Sequence, residues 1–368
     1  MATTNTFRIA CMPGDGIGHE ITDPCCAILD AAARHVGGFS LAYETLHAGA
    51  GAYLETGTAL AEETVEAARA ADAILLAAAG LPDVRYPDGT EIAPQIELRM
   101  ILGLYAGIRP IRAIPGVPLP LSDPRAADID FVLVRESTEG LFVSHRTGSV
   151  RDDTDSEDRL LVTRKGTERV ADAAIRLAHE RRAAGGAAGG RGIVTCIDKA
   201  NVFSSLAFFR KVFDERVALH PDITGNHLYV DAAALAFINR PWCFDVMVTE
   251  NMFGDILSDL GAGLIGGMGF APSADIGDDH AVFQPCHGTA PDIAGQGVAN
   301  PTAMILSGAM MLEWLSGRHG EPRAVEAGRL IREAVDKAFA GGLRTVEIGG
   351  DAGVRAVTDA VLAGLPKA

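Results

Sequence analysis

Two aspartates interrupt an otherwise apolar stretch, MFGDILSDL, at residues 252–260. Asp255 and Asp259 are four residues apart, so a helix would place both carboxylates on one face, with their Cβ atoms roughly 5–6 Å apart. Like charges at this spacing cost a few tenths of a kcal/mol on an exposed helix, and more where water is scarce. One explanation is structural: Asp255 caps the helix or balances its dipole, and Asp259 lies on the surface. The other is chemical, because a bound cation would offset the repulsion.

A third acid strengthens the chemical explanation. Asp231, in HLYVDAAALAF, lies in apolar surroundings where a predicted strand meets a predicted helix. The pair at 255 and 259 also follows a strand, and ligands bind at this edge of open α/β sheets. Three carboxylates in one place would require a cation, and hard oxygen ligands with room for water suit Mg²⁺ or Mn²⁺.

Three arginines lie in apolar segments, where a guanidinium group needs an anionic partner. Arg99 and Arg109 belong to ELRMILGLYAGIRP, where a predicted helix contains Arg99 and ends just before Arg109. Arg135 lies at the end of the predicted strand in FVLVRES. Together they indicate a site for a small di- or tricarboxylate held by bidentate pairs. The alternative is intramolecular salt bridges to Glu97 or Glu136.

A single lysine is placed like a catalytic residue. Lys199, in IDKANVF, follows the predicted strand GIVTCID. Close to a divalent cation and arginines, a lysine can lose its proton readily enough to act as a base. The alternative is a surface lysine on a turn.

Two glycine-containing segments are candidates for cofactor binding. PGDGIGHE at 13–20 is similar to a phosphate-binding turn but lacks the dinucleotide GxGxxG spacing. The segment 287–301, HGTAPDIAGQGVANP, shows no helical or strand period. Such a loop can wrap a nucleotide, and an aspartate in it can accept hydrogen bonds from ribose hydroxyls. It could equally be a structural Ω-loop.

The elements that would position these residues alternate between strand and helix, which predicts an α/β architecture with a largely parallel or mixed sheet. The predicted strands are 7–12, 72–80, 129–137, 192–198 and 244–252, and the predicted helices are 19–36, 57–71, 94–107, 166–184, 302–316 and 322–342. The acidic run at 151–159 is typical of a solvated turn, and the glycine-alanine segment at 185–192 of a flexible surface loop.

Composition excludes several classes of function. The 368 residues allow two domains or one large unit, and 48% hydrophobic with 22% charged residues is typical of soluble globular proteins. A net charge of −16 argues against a broad surface for nucleic acid or acidic lipid, so an anionic substrate needs a local arginine cluster. The six cysteines form no CxxC pair, and neither a secretory signal nor a membrane span is apparent. We therefore expect a cytoplasmic protein with reduced thiols.

Taken together, the motifs resemble one family, the β-decarboxylating dehydrogenases, most of all its isopropylmalate and tartrate dehydrogenase-like members. The family also includes isocitrate, homoisocitrate and D-malate dehydrogenases. The resemblance covers nearly the whole chain, in the order PGDGIGHE, LR…LYAGIRP, VRESTEG, DKANV, YVDA, FGDILSD and HGTAPDIAGQGVANPTAMILSGAMMLE. It implies a two-domain α/β fold distinct from the Rossmann fold, with the active site in the interdomain cleft. The expected boundaries are 1–104 with 266–368 for a cofactor-binding large domain, and 105–265 for a substrate, metal and dimerisation domain.

The resemblance also implies a homodimer with shared active sites, and it leaves open whether dimers pair into tetramers. The expected metal ligands are Asp255 and Asp259 of one subunit with Asp231 of the other. Lys199 of the partner subunit would act on the C2 hydroxyl, with Asn201 nearby. Arg99, Arg109 and Arg135 would hold the substrate carboxylates. The expected cofactor-binding residues are Ile17, His287, Gly288, Asp292, Ile293 and Asn300.

The implied reaction is the NAD- and Mg²⁺- or Mn²⁺-dependent oxidation of a (2R)-2-hydroxy acid, followed by decarboxylation of the 2-keto product. We expect NAD because Asp292 would accept from both ribose hydroxyls and repel a 2′-phosphate, and because NADP-using relatives carry a Lys-Tyr pair where this chain has Asp292-Ile293. Candidate substrates are malate-type acids with a C3 substituent, such as 3-isopropylmalate, tartrate or D-malate.

This chain departs from the family pattern at two places. Phe142 stands where the family has a tyrosine that protonates the enol, so the protein could oxidise its substrate without efficient decarboxylation. Ile92, Gln95 and Ile96 stand where the C3 substituent should lie and match neither the isocitrate nor the isopropylmalate pattern. A non-catalytic regulatory subunit is the rival class, although all the metal acids and the lysine are present. Phosphoryl transfer would need a P-loop, which is absent from the sequence.

Overall fold

The structure is a computed structural model that describes residues 5–145, 147–185 and 190–366. Its strands are β1 (Asn5–Gly14), β2 (Phe39–Thr45), β3 (Ala73–Ala78), β4 (Ala106–Arg112), β5 (Asp130–Glu136), β6 (Ser149–Arg151), β7 (Asp155–Glu157), β8 (Ile193–Asp198), β9 (Thr224–Tyr229), β10 (Val246–Thr249), β11 (Pro272–Ile276) and β12 (Ala281–Pro285). Its α-helices are α1 (Gly18–Val36), α2 (Ala50–Thr56), α3 (Glu62–Ala70), α4 (Pro94–Ile101), α5 (Arg164–Ala184), α6 (Ser204–Val217), α7 (Val230–Asn239), α8 (Asn251–Leu264), α9 (Thr302–His319), α10 (Pro322–Ala340) and α11 (Val354–Gly364).

Ten strands form one mixed sheet in the order β2-β1-β3-β12-β11-β4-β5-β10-β8-β9. Within it, β4 and β11 are antiparallel to each other, β4 is antiparallel to β5, and β11 is antiparallel to β12. The mixed α/β fold predicted from the alternating pattern is confirmed. The first five strands in this order come from residues 1–104 and 266–368, and the last five from 105–265. The division of the chain into two domains stays a prediction.

The core lies on both faces of the sheet, because β3, β5, β8 and β10 bury side chains on both of their faces and are covered by helices. Helices α1, α9 and α10 pack together over one half, with Ile28, Met304 and Ile331 fully buried between them. Helix α5 covers the other half with a face that includes Val170 and Ala174. No helix within the described ranges is both long and apolar enough to span a bilayer.

One predicted helix is wrong in its second half. The segment 94–107 was expected to be helical throughout, but α4 ends at Ile101 and β4 begins at Ala106. Gly103, with a φ of 63°, turns the chain in a left-handed conformation that ends the helix. Arg109 therefore lies in a strand, paired with Leu133 of β5, and not at the end of a helix.

Other predictions are refined. The strand predicted at 244–252 ends at Thr249, and α8 begins at Asn251. The helix predicted at 57–71 is α3 alone. The acidic run is the exposed turn of the hairpin β6–β7, with Asp152 and Asp153 at positive φ. Four residues of the predicted loop 185–192, namely 186–189, lie outside the described residues.

The PGDGIGHE segment contacts three other segments in the part of the protein formed by residues 1–104 and 266–368. The buried carboxylate of Asp15 accepts from the backbone N–H groups of Ala50 (2.7 Å), Gly51 (2.8 Å) and Gly80 (2.7 Å). The N–H groups of Asp15 and Ile17 donate to the carbonyls of Ala78 and Thr289. Since these amides already have protein partners, they are not available to a phosphate, and the segment acts as a structural junction.

Candidate active site

Helix α8 begins at the end of β10 and carries the two aspartates. The side chain of Glu250 caps this helix, because it accepts from the N–H groups of Met252 (3.1 Å) and Phe253 (2.7 Å). Asp255 and Asp259 lie one and two turns further on, and both line a pocket of about 260 Å³. The structural explanation that Asp255 caps the helix is therefore wrong, since Glu250 occupies that role.

The two acids have different surroundings. Asp255 forms an ion pair with the guanidinium group of Arg135. Asp259 has no hydrogen-bond partner among the described residues, although solvent reaches it at the pocket mouth. Partial burial, followed by the negative charge of Asp255, raises the pKa of the Asp259 carboxyl. Among the described residues, Asp259 thus has no ion-pair partner in contact, although the charges of Arg109 and Arg135 act on it from a distance.

The three arginines reach the same pocket from three different elements. Arg99 comes from α4, Arg109 from β4 and Arg135 from the end of β5, and all three are buried. Arg135 donates through Nε (2.9 Å) and Nη2 (2.7 Å) to Oδ1 of Asn251. A Cβ atom on residue 254 would lie 2.6 Å from Cγ of Arg135, so Gly254 of α8 leaves the space that this arginine occupies.

A buried aspartate that was not predicted pairs with two of these arginines. Asp275 of β11 contacts Nη2 of Arg99 at 3.1 Å and Nη2 of Arg109 at 3.3 Å. It also accepts from Nε2 of Gln284 at 2.9 Å and from the hydroxyl of Ser137 at 3.4 Å. The intramolecular salt bridges considered as an alternative exist, but their acid is Asp275.

Neither acid named in that alternative pairs with the three arginines. Glu97 accepts from the hydroxyl of Tyr86, and Glu136 accepts from Thr138. Among the described residues, Arg169 is the cation nearest Glu136, at 4.0 Å. The arginine cluster and its aspartate are therefore a separate unit.

The charges of this cluster shift the pKa values of its own members. Burial acts to raise the pKa of Asp275, but Arg99, Arg109 and Arg135 outweigh it and hold the carboxyl at a pKa of about 2. Burial and the like charge of Arg99 lower the pKa of Arg135 to about 10, against the opposing effect of Asp255. Both values leave the acid and the base ionised at neutral pH.

The remaining walls of the pocket contain several of the other predicted residues. Gln95 and Ile96 of α4 line it, as do Phe142 and His287, whereas Ile92 lies outside it in a small apolar cluster with Ala50. The ring of Phe142 lies 5.0 Å from the guanidinium carbon of Arg135.

Three buried polar atoms of residues that line the pocket have no hydrogen-bond partner within the described part of the chain. They are Oε1 of Gln95, Nε of Arg99 and Nε2 of His287. Burial lowers the pKa of His287, so its imidazole is neutral at neutral pH. Unsatisfied polar atoms that line a cavity are available to a ligand.

Lys199 and Asp231 lie apart from this pocket. Nζ of Lys199 contacts Oδ1 of Asp231 at 2.5 Å, and the Asp231 side chain is 68% exposed. This contact, followed by a hydrogen bond from its own backbone, lowers the pKa of Asp231. Asn201 is exposed nearby. Among the described residues, no group of three or more potential ligands surrounds a metal position, so a single chain does not assemble the predicted three-aspartate set.

The predicted cofactor loop follows β12 and is irregular. Gly288 and Asp292 are exposed, Ile293 is half-buried, and Ile17 at the start of α1 is buried. Asn300 is already engaged, since its Nδ2 donates to Glu347 (2.5 Å) and its Oδ1 accepts from the hydroxyl of Thr302 (2.6 Å). Its side chain therefore holds the C-terminal side of the loop.

Residues 8–361 match the family model described as isocitrate/isopropylmalate dehydrogenase. A 3-isopropylmalate/3-methylmalate dehydrogenase of Methanocaldococcus jannaschii is 41% identical over 94% of each chain. An isocitrate/homoisocitrate dehydrogenase of Thermus thermophilus is 39% identical over 98% of each chain. The solved isocitrate dehydrogenase of Methylococcus capsulatus superposes with a TM-score of 0.84 at 36% identity, covering 97% of this chain and 99% of that one. A β-decarboxylating dehydrogenase of Thermococcus kodakarensis gives a TM-score of 0.77 at 34% identity, covering 97% and 96%.

The family match and the relatives show a dehydrogenase of the oxidative decarboxylase class, which acts on the CH–OH group of its donor. The chain belongs to the isocitrate/isopropylmalate dehydrogenase family, and the resemblance drawn from its motifs is confirmed.

Proposed function

We propose that the protein catalyses the NAD- and Mg²⁺- or Mn²⁺-dependent oxidation of a (2R)-2-hydroxy di- or tricarboxylic acid, with decarboxylation of the 2-keto product. The candidate substrates are malate-type acids with a C3 substituent, such as 3-isopropylmalate, tartrate or D-malate. The observation that carries this proposal is the meeting of Asp255 and Asp259 with Arg99, Arg109 and Arg135 in one pocket.

The donor set fits a divalent cation. Asp259 has a raised pKa and no ion-pair partner in contact within the described part of the chain, and Asp255 lies beside it on the same helix face. A hard cation with oxygen ligands satisfies both, with water in the remaining positions. When bound, such an ion would polarise the C2 oxygen and so favour loss of CO₂ from the 2-keto acid.

The arginines would hold the substrate carboxylates. Arg135 is fixed by Asn251 from one side, and Arg99 and Arg109 by Asp275, so all three guanidinium groups are positioned before a ligand arrives. Such fixed donors bind an anion with little further loss of side-chain entropy. Gln95 and Ile96 line the same pocket and would contact the substituent at C3.

We propose that a second copy of the chain completes the site. Exposed Asp231 and half-buried Lys199 lie away from the pocket, and they could reach the cation and the C2 hydroxyl of a site in another subunit. The same region exposes large apolar side chains on α7 and α8: Leu235, Ile238 and Ile256 are 63%, 48% and 61% exposed. Apolar surface of this kind marks protein–protein contact. In the homodimer, Lys199 of the partner subunit would remove the hydroxyl proton as hydride leaves C2.

The cofactor would lie along the loop after β12, with its adenosine near Asp292. This exposed carboxylate can accept from both ribose hydroxyls and would repel a 2′-phosphate, which supports NAD. The unsatisfied Nε2 of His287 is a further available group at this end of the pocket. A cytoplasmic location, where NAD is plentiful and thiols stay reduced, completes the proposal.

Phe142 favours a second candidate, a dehydrogenase that decarboxylates poorly. Its ring lines the pocket beside Arg135 but has no proton to give to an enol. In that case the 2-keto acid would leave the site with its β-carboxylate intact or lose CO₂ slowly.

The experiment is to incubate the protein with NAD, Mn²⁺ and each of malate, tartrate, isopropylmalate, isocitrate and 3-methylmalate. Reduction of NAD, followed by absorbance, and release of CO₂ are measured separately. Reduction with matching CO₂ supports the proposal, and reduction without CO₂ supports the second candidate. No reduction with any substrate would refute both and favour a regulatory subunit.

A further inference from the structure

The arginine cluster of the pocket carries a buried negative charge behind it, and this charge bears on the substrate. Asp275 is only 2% exposed and does not itself line the pocket. It lies on the far side of two of the three arginines, so it cannot be reached by a small ligand, but it changes the charge that the ligand meets. A carboxylate in this position lowers the net positive charge of the arginine cluster by one unit.

The charges around the pocket can be counted. The charged side chains among the described residues that line it are three arginines and two aspartates, and His287 is neutral because burial lowers its pKa. The arginines contribute +3, Asp255 and Asp259 contribute −2, and Asp275 contributes −1, which sums to zero. A divalent cation on the two aspartates would bring the site to +2. The ion pair of half-buried Lys199 and exposed Asp231 has no net charge, so it would leave this sum unchanged in any site that it joins.

We propose that Asp275 is a positioning residue that also selects for charge: it orients Arg99 and Arg109 and sets the site to accept a dicarboxylate, with two negative charges, in preference to a tricarboxylate. The inference rests on the proposed function for the cation and the reaction, and it narrows the substrate class. Without Asp275 the same site would carry +3 and match a tricarboxylate. Two substrate carboxylates already neutralise a site of charge +2. A third carboxylate would therefore lose its water of hydration without gaining a counter-charge.

The geometry supports this role beyond charge counting. Asp275 has four partners, Arg99, Arg109, Gln284 and Ser137, so both of its oxygens are engaged. Gln284 lies on the neighbouring strand β12, where it pairs with Ser273, and its amide donates to the Asp275 carboxylate. Gln284 also lines the pocket. The acid is thus locked in place and cannot swing aside for a more highly charged ligand.

The test compares the wild-type protein with Asp275→Asn, which keeps the size of the side chain and removes its charge. The first measurement is kcat/KM with NAD and Mn²⁺ for D-malate, 3-isopropylmalate and isocitrate. The second is direct binding of two unreactive acids, succinate and tricarballylate, in the presence of Mn²⁺ and without NAD, by calorimetry. The compared quantity is the value for the tricarboxylate divided by the value for the dicarboxylate, for kcat/KM in the first measurement and for the association constant in the second. We expect Asp275→Asn to raise this ratio by about tenfold in both, which is the effect of one unit charge at close range. The change should appear mainly in KM, because charge acts on substrate binding.

Two further variants separate charge from structure. The double variant Asp275→Asn with Gln284→Glu moves the carboxylate from β11 to the hydrogen-bonded residue on β12. It should restore the preference for dicarboxylates. Asp245→Asn removes an equally buried acid that pairs with Arg181 outside the pocket, and it should lower stability without changing the ratio.

The outcomes are distinct. A wild-type protein that prefers isocitrate to every dicarboxylate would overturn the inference and leave the proposed reaction standing. An unchanged ratio in folded Asp275→Asn would also overturn it. If none of the tested acids supports the reduction of NAD by the wild-type protein, the proposed function fails. The ratio of the binding constants for tricarballylate and succinate then still decides the inference.

Discussion

Replacing Asp259 by asparagine should have opposite effects on stability without and with a divalent cation. Burial and the charge of Asp255 raise the pKa of Asp259, so the folded protein holds its proton more tightly than the unfolded chain does. Stability is therefore lost as pH rises through that pKa, and at neutral pH the ionised acid is slightly destabilising. The Asp259→Asn variant should be more stable than the wild-type protein in metal-free buffer by a few tenths of a kcal/mol, the usual size of a like-charge pair one turn apart.

Addition of Mn²⁺ should reverse this order. At 100 times its dissociation constant the ion stabilises the wild-type protein by about 2.7 kcal/mol. With 368 residues and about 2.1 cal/mol/K of unfolding entropy per residue, that corresponds to a rise in Tm of about 3 to 4 °C. Loss of a ligand should weaken binding by at least about 100-fold, which leaves less than about 1 °C for the variant at the same concentration.

The assay is differential scanning calorimetry at pH 7.5 with EDTA or with Mn²⁺. Asp359→Asn is the matched control, because it removes an exposed helical aspartate on α11 that does not line the pocket. The control should keep the full shift with Mn²⁺. An equal rise in Tm for Asp259→Asn and the wild-type protein would refute the assignment of this acid to the cation site.

Three other changes test separate parts of the account. Phe142→Tyr should raise the CO₂ released per NAD reduced toward one, because it supplies a proton donor on the pocket wall beside Arg135, and an unchanged ratio from coupled CO₂ and absorbance assays would place the donor elsewhere. Asp15→Ala should lower the free energy of unfolding by about 3 kcal/mol or more, measured by urea denaturation, because three backbone N–H groups lose a charged acceptor, and a loss below about 1 kcal/mol would contradict its structural role. Asp292→Lys should reduce the preference for NAD over NADP by about tenfold in kcat/KM, since it replaces a repulsive charge by an attractive one, and an unchanged preference would move ribose recognition away from this residue.

Local patterns predicted the parts of the site that lie along one element. The 3.6-residue period of MFGDILSDL placed Asp255 and Asp259 on one helix face, and α8 has that form. Arg135 was correctly placed at the end of a strand, because FVLV is a short buried run with β-branched residues. Arg109 was wrongly placed, because a short apolar run between a helix and a proline fits a helix and a strand equally well.

Contacts between distant segments were beyond what the sequence could predict. Asp275 meets the arginines only because β11 pairs antiparallel with both β4 and β12, and no local period marks a five-residue strand in this position. The structural role of Asp15 was not predicted for the same reason, since its three hydrogen-bond donors come from two other segments. For Asp275, the one signal in the sequence was a lone acid in an apolar stretch, PSADIG, which is also the kind of signal that pointed to Asp255.

The central claim is that carboxylates from two copies of the chain share one catalytic site. The most direct measurement is the activity of mixed dimers, formed by co-expressing an Asp231→Asn chain with an Asp259→Asn chain and purified through two different tags. If the site is shared, each variant alone is nearly inactive, whereas each mixed dimer contains one site with all three carboxylates and shows about half the wild-type activity, or about a quarter in an unsorted mixture. Mixed dimers that are no more active than either variant alone would contradict the claim.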